Sequence, residues 1–165
     1  MKRLYMIGGP MGVGKTAVCK AMKTMLNHSV MLDGDWCWDM HPFTVTEETK
    51  AMVMDNISHL LGGFLRCSAF EHVVFCWVMH EQEIINALLD HLPLDDDIEV
   101  ISVSLIASPD ALIRRLKGDV AAGLRTEDVI PRSLDRLAMY GALKTHKLDT
   151  TDMTAEEAAK AIIAL

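Results

Sequence analysis

The sequence predicts an α/β fold, a parallel sheet with helices on both faces, and three observations carry that prediction. Short apolar or β-branched runs alternate with helical patterns along the chain. A glycine-rich segment stands directly between the first apolar run and the first helical pattern. Helix-start signals recur at Thr44-Val45-Thr46-Glu47, Ser108-Pro109-Asp110 and Thr154-Ala155-Glu156-Glu157. The 165 residues suit a single domain, 1–165, with one core. With 50% hydrophobic and 24% charged residues, the balance is that of a folded chain rather than a disordered one.

The elements follow in order. Leu4 to Ile7 is a strand that runs into Gly8-Gly9-Pro10, and a helix extends from Lys15 to about Asn27. Val30 to Leu32 is a second strand, after which the box at Thr44 to Glu47 opens a long helix towards Arg66. His72 to Met79 is β-branched and aromatic, and Ile98 to Ile106 alternates before turning wholly apolar; both read as strands. Ser108 caps a helix with Pro109 at its first position and Asp110 in its first turn, running through Arg114 and Arg115 to a stop at Gly118. Asp119 to Val129 has little periodicity and reads as a flap, a small lid over about 118–129, before a helix from Pro131 to Lys144. Lys147 to Thr150 is a short strand, and the box at Thr154 opens an Ala-rich terminal helix. No internal repeat, linker or low-complexity stretch interrupts this order.

Composition excludes several function classes. A net charge of −7 gives no basic field for a nucleic-acid backbone. The longest apolar stretch, Val73 to Met79, falls far short of the ~20 residues that cross a bilayer. The cysteines at 19, 37, 67 and 76 show no CxxC spacing, so the expectation is a cytoplasmic protein with free buried thiols. His80-Glu81-Gln82-Glu83 begins like a zinc-protease HExxH, but Ile84 stands where the second histidine belongs. Asp95-Asp96-Asp97 reads as a solvated turn.

Gly9-Pro10-Met11-Gly12-Val13-Gly14-Lys15-Thr16 fulfils G-x-x-x-x-G-K-[ST] in the strand-to-helix context that the motif requires. Its glycines let successive N–H groups converge on one anion-sized hollow, and the helix adds its positive N-terminal end. Gly9, Met11, Gly12, Val13, Gly14, Lys15, Thr16 and the adjoining Ala17 are therefore candidates for binding ATP. Lys15 reaches the β- and γ-phosphates, and the Thr16 hydroxyl is placed to ligate a bridging Mg²⁺. Beyond the second strand, Asp33 and Asp35 lie two residues apart, where an extended chain points both carboxylates the same way. Trp36, Trp38, His41 and Phe43 follow and can wall a pocket for a small cyclic acceptor.

With its cradle, the acidic Asp33-Gly34-Asp35 and the Leu148-Asp149-Thr150 before a capped helix, the chain resembles the small P-loop kinases. That group includes shikimate, gluconate, adenylylsulfate and nucleotide kinases and chloramphenicol phosphotransferase. The resemblance implies a P-loop NTPase three-layer sandwich with a five-stranded parallel sheet, ATP across the cradle, and an acceptor above the carboxyl ends of the strands. It implies Asp35 as the base that takes the acceptor proton and Asp33 as a residue of the Mg²⁺ shell, the reversed pair being the alternative. Arg115 takes the place of an arginine that packs on adenine. The family's phosphate-facing arginine would fall near Asp119, so that contact passes to Arg125, Arg132 or Arg136. His80 and Gln82 stand in the loop that touches the acceptor in that family. The glycine run of shikimate kinases is absent there, which disfavours shikimate.

The function expected is ATP-dependent transfer of the γ-phosphoryl group to a hydroxyl, or to a nucleotide phosphate, by a monomer or homodimer that binds neither nucleic acid nor membrane. The rival is a nucleotide-binding regulator or NTPase without a small-molecule acceptor. A GTPase switch is disfavoured, since neither an Asn-Lys-x-Asp motif nor an Asp-x-x-Gly after the third strand is present.

Overall fold

The computed structural model describes residues 1–165. Strands β1 (Lys2–Gly8), β2 (Ser29–Asp33), β3 (His72–Cys76), β4 (Ile98–Ile106) and β5 (His146–Asp149) form one parallel sheet in the order β2-β3-β1-β4-β5. The helices are α1 (Lys15–Met25), α2 (Glu47–Arg66), α3 (Gln82–Asp90), α4 (Pro109–Ala121), α5 (Val129–Leu137) and α6 (Ala155–Ile163). Parallel neighbours need crossovers, and the helices supply them on both faces. Alternation along β1 shows the layering. Tyr5 and Ile7 join a core with Val18 and Met22 of α1, Leu112 and Leu116 of α4 and Ile162 of α6. Leu4 and Met6 join a second core with Val53, Ile57 and Leu61 of α2 and with Leu88 of α3. No helix is long and apolar enough to cross a membrane.

The three-layer, five-stranded α/β fold agrees with the sequence reading; several element boundaries do not. The capping box of α2 sits at Thr46, not Thr44: Thr49 N donates to Thr46 Oγ1 at 3.1 Å and Thr46 N to Thr49 Oγ1 at 2.8 Å. Thr44 spends its hydroxyl on Pro42 O instead, at 3.0 Å. The strand predicted to reach Met79 stops at Cys76, and Met79 turns the chain with φ of 36°. Helix α3 follows, an element the pattern did not mark. Helix α4 passes through Gly118 and ends where Gly123, at φ of 73°, turns left-handed. The helix expected from Pro131 to Lys144 is shorter, since α5 stops at Leu137 and a 3₁₀ turn covers Tyr140–Ala142. At the chain's end the box between Thr154 and Glu157 forms as predicted.

Candidate functional site

Central strand β1 delivers Gly9 to the carboxyl edge of the sheet, where the cradle closes against β4 and α4. Gly9, Gly12 and Gly14 have φ of 153°, 84° and 101°. A Cβ at Gly9 would stand 2.9 Å from Leu105 O, and one at Gly12 only 2.4 Å from Leu116 Cδ2. The loop fits only as glycine, which leaves its backbone free to bend around an anion. Gly14 caps α1 with no side-chain acceptor, so the first-turn N–H groups are available to a phosphate. Half-buried Lys15 donates from Nζ to Gly9 O at 2.7 Å and to Pro10 O at 3.0 Å. Burial pulls its pKa below the ordinary lysine value; Asp35 and Asp33 act in the opposite direction and Arg125 in the same one.

Asp33, at the end of β2, is 6% exposed. Its Oδ2 accepts from Thr16 Oγ1 at 2.6 Å, and its Oδ1 accepts from Asp35 N at 3.0 Å. The second bond caps a 3₁₀ turn over Gly34–Trp38. Asp33 and Asp35 are thus brought together by a cap at a bend, and not by alternation along a strand as the spacing predicts. Gly34 is required at that bend, because a Cβ there would lie 2.5 Å from Trp77 Cγ. The Asp35 residue is exposed, yet its carboxyl is crowded enough that desolvation, and then the charge of Asp33, raise its pKa above the usual carboxylate value. Lys15 and Arg125 oppose that shift.

The oxygens of Thr16 and Asp33 are hard donors of the kind Mg²⁺ takes. No group of three His, Cys, Asp or Glu side chains is placed to hold a metal ion by itself. A cation here would therefore draw on phosphate oxygens as well, which is how Mg²⁺ is held when it is bound with a nucleotide. The donor set fits the ion.

Beside the cradle a cleft of about 150 Å³ is lined by Gly14, Ala17, Arg115, Thr150, Met153 and Ala155, among others. Arg115 Nη2 donates to Thr150 O at 2.6 Å and Thr151 O at 3.2 Å, and Nη1 to Val13 O at 3.3 Å. Arg115 therefore braces the cradle against the β5–α6 turn, with its planar group on the cleft wall. The other candidate arginines separate. Arg125 Nε lies 3.1 Å from Asp119 Oδ2, half-buried. Arg132 pairs at 3.1 Å with Asp128 on the exposed side of α5. Arg136 is half-buried beside His80 and Tyr140, depressing the His80 pKa after the larger effect of burial.

Of the acceptor-side candidates, Trp38 packs against Phe43 with ring centroids 5.5 Å apart, while Trp36 is 56% exposed and His41 is exposed. His80 carries a buried Nδ1 with no hydrogen-bond partner. Both ends of the Gln82 amide are engaged: Nε2 donates to Asn86 Oδ1 at 3.0 Å, and Oε1 accepts from Lys144 N at 2.8 Å. Gln82 thus ties α3 to the segment before β5. Three site residues escape the sequence reading. Trp77 packs on the bend at Gly34, Tyr140 Oη donates to Val78 O at 2.5 Å, and buried Ser133 Oγ donates to Met11 O at 2.6 Å. A serine at an apolar-face position of an amphipathic helix, four residues after Val129, is the one trace in the sequence, and only the fold tells which carbonyl it meets.

A family model described as an AAA domain matches residues 6–128, a span that includes the cradle, both aspartates and the α4–α5 connection. No curated protein sequence matches the chain. Among solved structures, a gluconokinase from Sinorhizobium meliloti is similar, with 17% identity and a TM-score of 0.70 over 97% of this chain and 89% of that one. A tunicamycin resistance protein from Deinococcus radiodurans has 17% identity and a TM-score of 0.73 over 99% and 95%. A shikimate kinase from Acinetobacter baumannii has 19% identity and a TM-score of 0.64 over 99% and 91%. At these identities the likeness is one of fold. The chain belongs to the AAA domain family, and its fold is that of the small P-loop kinases.

Proposed function

We propose that the protein transfers the γ-phosphoryl group of ATP to a hydroxyl of a small-molecule acceptor, a nucleotide phosphate being the alternative acceptor group. The observation that carries the reading is the hydrogen-bonded series Thr16–Asp33–Asp35 set beside the cradle. It joins a phosphate-binding element, a cation-ligating pair and a carboxylate within one short stretch of space. Nucleotide binding alone needs the first two, whereas a positioned carboxylate is what transfer to a hydroxyl adds.

In this reading the cradle N–H groups and the start of α1 bind the β- and γ-phosphates, and Lys15 turns from the Gly9 and Pro10 carbonyls to the γ-phosphate. Thr16 and Asp33 would hold Mg²⁺, which when bound neutralises charge on the phosphate oxygens. Asp35 orients the acceptor hydroxyl and takes its proton as the acceptor oxygen bonds to the γ-phosphorus. The bond from that phosphorus to the β–γ bridging oxygen breaks, and ADP leaves. The raised pKa of Asp35 brings this carboxylate closer to the pH at which a base works well. Arg115 and the cleft next to it hold the adenine, and Trp36, Trp38, His41 and His80 are the nearest candidates for the acceptor wall. The net charge of −7 supports small molecules rather than nucleic acid as partners, and a cytoplasmic location is consistent with free thiols.

The test is ATP consumption with Mg²⁺ against nucleosides, nucleotides, sugar acids and antibiotics. Acceptor-dependent consumption supports the reading. Tight nucleotide binding with no acceptor-dependent consumption across the panel would favour a regulator.

A further inference from the structure

We propose that Asp119 is a positioning residue that holds Arg125 over the cradle, so that the Arg125 guanidinium meets the γ-phosphate of a bound nucleotide. The inference rests on the reading of the cradle as a nucleoside triphosphate site, and not on which acceptor is used.

Arg125 lies in the connection between α4 and α5, and both helices are fixed to the cradle itself. Leu116 of α4 packs on Gly12 so closely that a Cβ there would clash, and Arg115 donates to Val13 O at 3.3 Å. From the other side, Ser133 of α5 donates to Met11 O at 2.6 Å. A short connection whose two ends are both anchored on residues 11–13 stays at the cradle edge. Within it, Arg125 uses only Nε, at 3.1 Å from Asp119 Oδ2, and its two Nη nitrogens donate to no protein atom. That is the useful division of a guanidinium. One edge is anchored, and the terminal fork is left to meet an anion bidentately.

The charge of Arg125 is felt at both Lys15 and Asp35, which flank the place of the transferring group. No other arginine combines these properties. Arg115 is spent on the Thr150, Thr151 and Val13 carbonyls, and Arg132 is paired with Asp128 on the exposed side of α5. Asp119 and Arg125 are 34% and 35% exposed, so their bond is partly shielded from solvent without being a locked interior pair. An unpaired carboxylate at 119 would repel a phosphate. Paired with Arg125, it fixes a cation there instead.

Calorimetric titration with Mg²⁺ and either ADP or a non-hydrolysable ATP analogue tests the proposal without any acceptor. Arg125→Ala is expected to weaken the analogue about tenfold, the size of one charge-assisted contact, while ADP changes by less than about twofold. Asp119→Ala should weaken the analogue about fivefold and spare ADP, and Asp119→Glu should recover most of the loss. The double variant should be no weaker than Arg125→Ala alone, because Asp119 acts through Arg125. The proposal is overturned if Asp119→Ala binds the analogue as tightly as the parent or more tightly, which would make the pair a restraint. It also fails if both nucleotides weaken alike without rescue by glutamate, or if the two single losses multiply in the double variant. A parent protein that binds neither nucleotide ends both this proposal and the cradle reading. A parent that binds them but phosphorylates no acceptor removes the kinase reading alone.

Discussion

The Thr16 hydroxyl donates to the Asp33 carboxylate at 2.6 Å, binding the first turn of α1 to the end of β2. The other oxygen of the same carboxylate sets the turn that carries Asp35. One buried side chain thereby fixes the distance between the cradle and the proposed base.

Asp33→Ala leaves the Thr16 hydroxyl and the Asp35 N–H without their acceptor. The expected cost is about 1–2 kcal/mol in urea denaturation, the net worth of two part-buried hydrogen bonds. The same variant should lose the Mg²⁺ dependence of nucleotide affinity. Asp33→Asn keeps one acceptor oxygen and should lie between it and the parent in stability.

Asp35→Asn should lower turnover by roughly 10² to 10⁴ while nucleotide affinity holds. In the parent, the acid limb of the pH–kcat/KM profile, which reports the free enzyme, should fall above the ordinary carboxylate range, because the pKa of Asp35 is raised there. The sign for stability is opposite to that for activity. A raised folded-state pKa means that the ionised form disfavours the folded state once pH exceeds it. Asp35→Asn should therefore raise Tm near pH 7, and the gain should vanish at a pH below the unfolded-state pKa, where Asp35 is neutral in both states. If Asp33→Asn alone shows the large turnover loss, the two roles are reversed.

Lys15→Ala should leave the fold intact and abolish turnover, since its ammonium is the one lysine charge at the cradle. Circular dichroism unchanged from the parent, together with undetectable ATP consumption, is the expected pair of results. Normal consumption by this variant would remove the cradle from the mechanism.

Gly12→Ala and Gly14→Ala separate packing from backbone strain. Both residues have positive φ, but a Cβ meets Leu116 Cδ2 at 2.4 Å at position 12 and nothing within 4 Å at position 14. Gly12→Ala should cost about 3 kcal/mol, from crowding and left-handed strain together, and Gly14→Ala about 1 kcal/mol. Equal losses in urea denaturation would show that Leu116 moves aside freely.

The stretch 118–129 comprises the last turn of α4, a short connection and the start of α5. If it acts as a lid, its amides should exchange quickly in the free protein and slow when a non-hydrolysable ATP analogue and an acceptor are both bound. Exchange unchanged by ligands would mean that the segment does not close.

The parts of the site legible in the sequence are those built from consecutive residues. The cradle from Gly9 to Thr16 needs only glycines at set spacing between a strand and a helix, so its geometry is written locally. The box at Thr154 is local in the same way. What stays hidden depends on contacts across the fold. Ser133 matters because α5 returns to Met11, and Trp77 because β3 ends beneath Gly34. Asp119 reads from the chain only as a missing arginine, whereas in the fold it is the partner of Arg125. Helix α3 starts at Gln82 with no side-chain cap, so it lacks the signal that marks α2 and α6. The end of α4 moves past Gly118 because that glycine can stay helical, while Gly123 turns left-handed.

Following the label of γ-labelled ATP with Mg²⁺ through the acceptor panel, for the parent and for Asp35→Asn side by side, bears on phosphoryl transfer itself. The parent should place the label in a phosphoester of one acceptor class, with one ADP formed per ester, and Asp35→Asn should do so at least about a hundredfold more slowly. Label recovered only as inorganic phosphate with every acceptor, or equal transfer by the two proteins, would contradict a kinase that uses Asp35 as its base.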